Sequence, residues 1–262
     1  MRPLGSHLSA VLPTILCLLL LPSGHAADDQ LAITFHIRNR CPFAIWPAAA
    51  PNAGHPVIAG GGFFLPSGMT KRIQAPPSWN GRLWGRTGCD FTNNATSKPG
   101  CRTGDCLGLL ACNGTVGLPP ATLLEVTLQA GRGARSFYDV SLVDGYNLPV
   151  SVSSRPADPE CFIGGCRRSP AGDCPAELQV TDEDGRSVAA CKSACLAFDL
   201  DQFCCRNAYA TPAACRATAY SRAFKDACPS YVSYAFDTPT PLVACAAKEY
   251  VVTFCPSTWS SF

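Results

Sequence analysis

The chain is 262 residues long and carries 21 Lys and Arg against 19 Asp and Glu, a formal charge of only +2. So even a balance excludes the strong positive field expected of a protein built for nucleic acid or an anionic membrane. The 17 cysteines point to an oxidising compartment, and the length is sufficient to bury a real core beside any covalent staples.

Arg2, an apolar run over residues 10–21 and the small residues Gly24 and Ala26 predict a secretory signal peptide cut after Ala26. The run is too short to cross a bilayer, and Ala27-Asp-Asp29 follows it without a basic flank. Removing residues 1–26 takes Arg2 alone among the Lys, Arg, Asp and Glu side chains, leaving a formal charge of +1. It also removes Cys17 and leaves 16 cysteines, an even number that predicts eight disulfides. Zinc would need free thiolates and hence a reducing compartment, so no metal or other cofactor is expected. Spacing alone does not give the pairing of sixteen cysteines.

Leu31, Ile33, Phe35 and Ile37 alternate with Ala32, Thr34 and His36, which predicts a half-buried strand. A second strand is expected over 41–46 with Pro42 at its edge, then a hairpin over 63–73 around Pro66-Ser-Gly68, and a strand over 82–87. Residues 89–120 form a loop-rich, bridged stretch with acceptor sequons at Asn94 and Asn113. Within it, Cys101, Cys106 and Cys112 are interleaved with glycines, a pattern that holds a shape only when cross-linked; Asp105 is expected to cap loop amides. Alternation returns over 122–128 and 137–143. From Cys161 to Cys228 cysteines crowd, strands disappear, and Val188, Cys191, Cys195 and Phe198 recur at helical spacing. A second short helix is expected over 215–225 and a last strand over 250–255. Trp46, Trp79 and Trp84 read as core or half-buried residues.

The chain resembles the thaumatin-like, or pathogenesis-related group-five, family. The residues that carry the resemblance are Cys101-x-Thr-Gly-Asp-Cys106-x-Gly108-x3-Cys112, Pro119-Pro-Ala-Thr-Leu-Leu-Glu125 and Tyr138-Asp-Val-Ser-Leu-Val-Asp-Gly-Tyr-Asn-Leu-Pro149. It continues through Cys204-Cys205, the 219–225 stretch, Cys228-Pro229 and Phe254-Cys255-Pro256, so that it spans roughly residues 31–256. Ser97 and Pro99 stand where the family usually has glycines. The resemblance implies a mainly β fold: a thaumatin-like β-sandwich with a disulfide-rich loop and helix lobe at about 161–228 and a bridged loop subdomain at about 87–120, all within one domain over 27–262. It implies the pairs Cys41–Cys255, Cys89–Cys101, Cys106–Cys112, Cys161–Cys245, Cys166–Cys228, Cys174–Cys191, Cys195–Cys204 and Cys205–Cys215.

It also implies a cleft lined by Glu125, Asp139, Asp144 and Asp237, with Arg86 or Arg82 as its basic member. Read from the residues alone, Glu125 and Asp139 lie inside strand-like runs opposite Val126 and Val140, where a carboxylate is poorly favoured. They are either solvated or arginine-paired charges, or a cluster that accepts hydrogen bonds from sugar hydroxyls. If the cleft hydrolysed a glycosidic bond, Glu125 would be the acid and Asp139 or Asp144 the base or nucleophile. His36 and His55 are poorly placed for a triad, and no nucleophile elbow or phosphate loop is present.

The expectation is a secreted, apoplastic, monomeric antifungal protein of plant defence that binds fungal β-1,3-glucan or another cell-wall polysaccharide. The alternatives are a weak endo-β-1,3-glucanase, or an inhibitor of pathogen hydrolases. The fungal membrane is a further possible partner, and nucleic acid is not one.

Overall fold

A computed structural model describes residues 32–92, 99–129, 131, 133–182, 185–237, 239 and 241–256. The signal segment and Asn94 lie outside the described residues. Among the described residues eleven strands are formed: β1 (Ile33–Asn39), β2 (Trp46–Pro51), β3 (Thr70–Ala75), β4 (Asn80–Arg86), β5 (Leu123–Thr127), β6 (Ser136–Ser141), β7 (Val150–Arg155), β8 (Gln179–Thr181), β9 (Val188–Cys191), β10 (Val243–Cys245) and β11 (Glu249–Phe254). One sheet has the order β3-β1-β11-β7 and the other β10-β6-β5-β4-β2, while β8 and β9 form a separate hairpin.

The predicted alternation builds the sandwich. Ile33, Phe35 and Ile37 of β1, with Tyr250, Val252 and Phe254 of β11, pack against Leu83, Leu124, Val126, Tyr138 and Val140 of the other sheet in one buried core. Edge-on contact of Tyr138 with Tyr250, centroids 5.5 Å apart, joins the two sheets. Both hydroxyls are satisfied by main-chain oxygens of one disulfide, Cys161 O at 2.5 Å and Cys245 O at 3.2 Å, so the rings are buried without orphaned polar atoms.

Eight disulfides join the sixteen described cysteines in the pairing that the resemblance implies. The protein is therefore a mainly β, disulfide-rich sandwich. Residues 99–118 cover part of the outer face of the five-stranded sheet, where Trp84, Ala48, Ala50, Leu123, Cys106 and Cys112 make a second small core. Trp84 donates to Gly104 O at 2.8 Å, and a Cβ on Gly117 would stand 2.5 Å from that indole nitrogen, so only glycine closes this lid.

Four expected elements differ. The second strand begins at Trp46, because residues 41–44 bend around the Asn39 side chain, whose amide donates to Phe43 O and Leu65 O. The 63–73 stretch is a corner between sheets: Leu65 bridges Ile45, whereas β3 pairs with β1. In the cysteine-rich lobe, residues 188–191 are a strand paired with β8, and helix begins only at α1 (Ala194–Phe198), which Ser193 caps. The lobe continues through α2 (Asp201–Cys204) and α3 (Ala219–Ala227); a Thr218–Ser221 capping box opens the latter, so it starts after Thr218 and not at Cys215 as expected.

Candidate functional site

The site is built on the outer face of the five-stranded sheet. Core packing of Leu83, Leu124, Val126, Tyr138 and Val140 forces the alternate residues outward. Register then lines three of them up across adjacent strands: Arg82 is opposite Glu125, and Glu125 is opposite Asp139. Directly opposed residues on antiparallel strands have Cβ atoms about 4.5–5.5 Å apart. All three side chains are half-buried, beyond the edge of the loop that covers Trp84.

The two carboxylates do not share one environment. Asp139 Oδ1 is buried with no hydrogen-bond partner among the described residues. Burial first, and the neighbouring Glu125 charge second, push the Asp139 carboxyl up to about 7. Asp139 is thus a carboxyl that can carry a proton near neutrality. It is the deeper of the two, while Glu125 has Arg82 opposite it.

The two candidate arginines separate cleanly. Arg86 is fully buried, and its guanidinium donates to Trp46 O, Leu109 O and Leu110 O at 2.7–2.9 Å. Burial draws its pKa down to about 10, opposed by Asp105. Arg86 fastens the bridged loop to the sheet and presents no donor to the acidic row; Arg82 is the arginine beside it. Asp105 accepts from Cys101 N and Gly108 N at 2.9 and 2.8 Å, the structural role expected of it.

Asp144 and Asp237 come from the segments that follow β6 and α3. Asp144 is in the turn after β6, where its carbonyl accepts from Ala121 N at 3.0 Å. Asp237 is buried in the neighbouring 233–237 loop, where its Oδ2 accepts from Lys225 Nζ, Ser233 N and Ser233 Oγ at 2.9–3.0 Å. Val232 pairs with the end of β6, so this loop borders the acidic face. Where the loop meets the lobe, Val143, Ser233 and Tyr234 line a small cavity with Gln202 and Arg216. No motif in the sequence marks these lobe residues. No group of three or more acidic, histidine or cysteine side chains suited to a metal occurs among the described residues. Asn113 is exposed at the tip of the bridged loop.

A disulfide-stapled sandwich with an acidic row on one sheet face is the class that fold and site define. The Thaumatin family profile matches residues 39–256. A thaumatin-like protein of Arabidopsis thaliana is 47% identical over 225 residues, covering 86% of this chain and 90% of the relative. Pathogenesis-related protein 5 of the same plant is 44% identical, covering 92% and 97%. An osmotin-like protein of Solanum lycopersicum is 42% identical, covering 96% and 99%. A solved thaumatin-like xylanase inhibitor aligns at 21% identity with a TM-score of 0.47, covering 85% of this chain and 99% of its own, a likeness too distant to bear on function. The chain belongs to the thaumatin family.

Proposed function

We propose that this is a secreted, monomeric plant defence protein that binds fungal β-1,3-glucan along the Arg82–Glu125–Asp139 row. Defence is supported by the relatives named pathogenesis-related and osmotin-like. Polysaccharide binding rests on one observation: two half-buried carboxylates directly opposed across adjacent strands, beside Arg82, on an otherwise apolar-backed sheet face. The exposed part of each carboxyl would accept hydrogen bonds from sugar hydroxyls. Glu125 would accept from a neighbouring hydroxyl and Arg82 would donate to a ring or hydroxyl oxygen. On this reading residues 1–26 are removed, residues 27–262 form the single domain, and Asp144 extends the acidic path along β5–β6.

The raised Asp139 carboxyl also favours a second reading, a weak endo-β-1,3-glucanase. Asp139 would protonate the glycosidic oxygen and Glu125 would act as nucleophile.

Pull-down on insoluble β-1,3-glucan, with reducing-end release measured in parallel on wild type, Glu125→Gln and Asp139→Asn, tests both. Binding without release, weakened in both variants, supports recognition; release lost in both supports the glucanase. Unchanged binding in both variants overturns the site, and wild type without affinity overturns the function and turns attention to inhibition of hydrolases.

A further inference from the structure

The opposite face of the sandwich has the opposite sign. On the outer side of the four-stranded sheet, Arg38, Thr253 and Ser151 lie side by side across β1, β11 and β7. Together with Arg40, Arg167 and Phe162 they line an open groove of about 680 Å³, within the size range of ligand sites. The guanidiniums of Arg38, Arg40 and Arg167 make no ion pair or side-chain hydrogen bond among the described residues. The carboxylate on this sheet face, Glu249, is engaged with His36 at 2.7 Å. Three unneutralised arginines in one groove of a nearly neutral chain mark a segregated charge, which the overall count conceals.

The groove is also rigid. Cys161–Cys245 and Cys166–Cys228 hold the two ends of the 161–166 loop, and Ile163 pairs with Val152 through bonds of 2.9 and 3.0 Å. Arg40 N donates to Phe254 O at 3.0 Å beside the Cys41–Cys255 bridge. A Cβ at Gly165 would come within 2.7 Å of Pro256, so a side chain there would push into the groove's wall. Phe162 is 56% exposed, an unusual position for a ring on a pinned loop.

We infer that this groove binds an acidic polysaccharide, a linear polymer of uronic acid. Planar guanidiniums match carboxylates in bidentate pairs. The Ser151 and Thr253 hydroxyls can both donate to and accept from ring hydroxyls, and Phe162 offers a flat apolar surface for a sugar ring. The open form of the groove suits a chain that passes through rather than a small enclosed anion. The site is independent of the acidic row, on the other sheet.

The test is calorimetric titration of the full chain with an oligogalacturonate, a neutral β-1,3-gluco-oligomer, inorganic phosphate and phosphatidylserine vesicles. The variants are Arg40→Gln/Arg167→Gln, both exposed and unpaired, Phe162→Ala, and Glu125→Gln. Expected is oligogalacturonate binding that weakens about tenfold or more in the double arginine variant, weakens in Phe162→Ala, falls with salt, and is unchanged in Glu125→Gln. Equal affinity of wild type and the double arginine variant, absence of oligogalacturonate binding, or preference for phosphate or vesicles over the oligomer would overturn it. Loss in Glu125→Gln would overturn it too, by assigning the binding to the acidic row.

Discussion

Glu125 and Asp139 face one another directly across β5 and β6, and only one of them is deeply desolvated. Two like charges on neighbouring strands oppose folding when both are ionised. The pair therefore links proton binding to stability.

Asp139 holds its proton up to about 7 in the folded protein, against the ordinary carboxyl value of 3.8 in the unfolded chain. A carboxyl raised on folding contributes stability that is fully present below the unfolded pKa and lost as pH rises through the folded one. Wild type should lose about 2–4 kcal/mol of stability from this group between pH 4 and pH 8. Asp139→Asn should not show that component and should be the more stable protein at pH 8. Urea midpoints of both proteins at the two pH values measure it; parallel pH profiles would show that Asp139 is not the buried acid.

Asn147 joins three segments with all four of its amide hydrogen-bonding positions. Its oxygen accepts from Thr122 N and Leu148 N, and its nitrogen donates to Gly85 O and Thr103 Oγ1, at 2.8–3.0 Å. Asn147→Asp keeps the shape but replaces two donors by an oxygen facing Gly85 O. A loss of about 3–5 kcal/mol is expected at pH 7. It should shrink near pH 4, where protonation restores one donor. A thermal shift equal at both pH values would argue against this account.

Arg86→Lys should be far from conservative. One ammonium does not reproduce a planar fork that reaches Trp46 O, Leu109 O and Leu110 O together. Buried carbonyls left unpaired cost about 1–3 kcal/mol each. The signature should be local: faster amide exchange across residues 99–118, with the β1–β11 strands protected as before. Uniform acceleration through both sheets would contradict the assignment of Arg86 to the loop.

Cys41 and Cys255 are 214 positions apart in sequence. Replacing both by serine frees the ends of the sandwich in the unfolded chain. On the chain-entropy account this removes up to about 5 kcal/mol, less where the other seven bridges already restrict the same loop. The urea midpoint of the double variant under non-reducing conditions should fall accordingly. A change below about 0.5 kcal/mol would mean that those other bridges confine the unfolded chain nearly as well.

Elements with clean apolar alternation were legible in the sequence. β1, β5, β6 and β11 all bury one side in the same core, so their period survives in the residues. β7 was not: its outward positions are Ser151, Ser153 and Arg155, and only Val150 and Val152 signal a buried side. In the lobe, Val188, Cys191, Cys195 and Phe198 mimic a helical stripe because a short strand and a short helix follow one another, each with one disulfide. Glu125 and Asp139 could be proposed from sequence as neighbours on one face. The choice between Arg82 and Arg86 could not. Four residues apart in a strand, they point the same way, and only the covering loop, distant in sequence, distinguishes them. The raised Asp139 carboxyl was equally hidden, since it arises from depth rather than residue type.

The place of β11 has a consequence for how the chain is made. This strand pairs in parallel with β1 on one side and antiparallel with β7 on the other, at the middle of its sheet. Until residues 249–254 have left the ribosome, β1 and β7 each present an unpaired edge with a gap between them. The sandwich therefore cannot assemble progressively as the polypeptide emerges. It must wait for its last strand, and the exposed edges of the waiting chain are where an assisting protein would have to act.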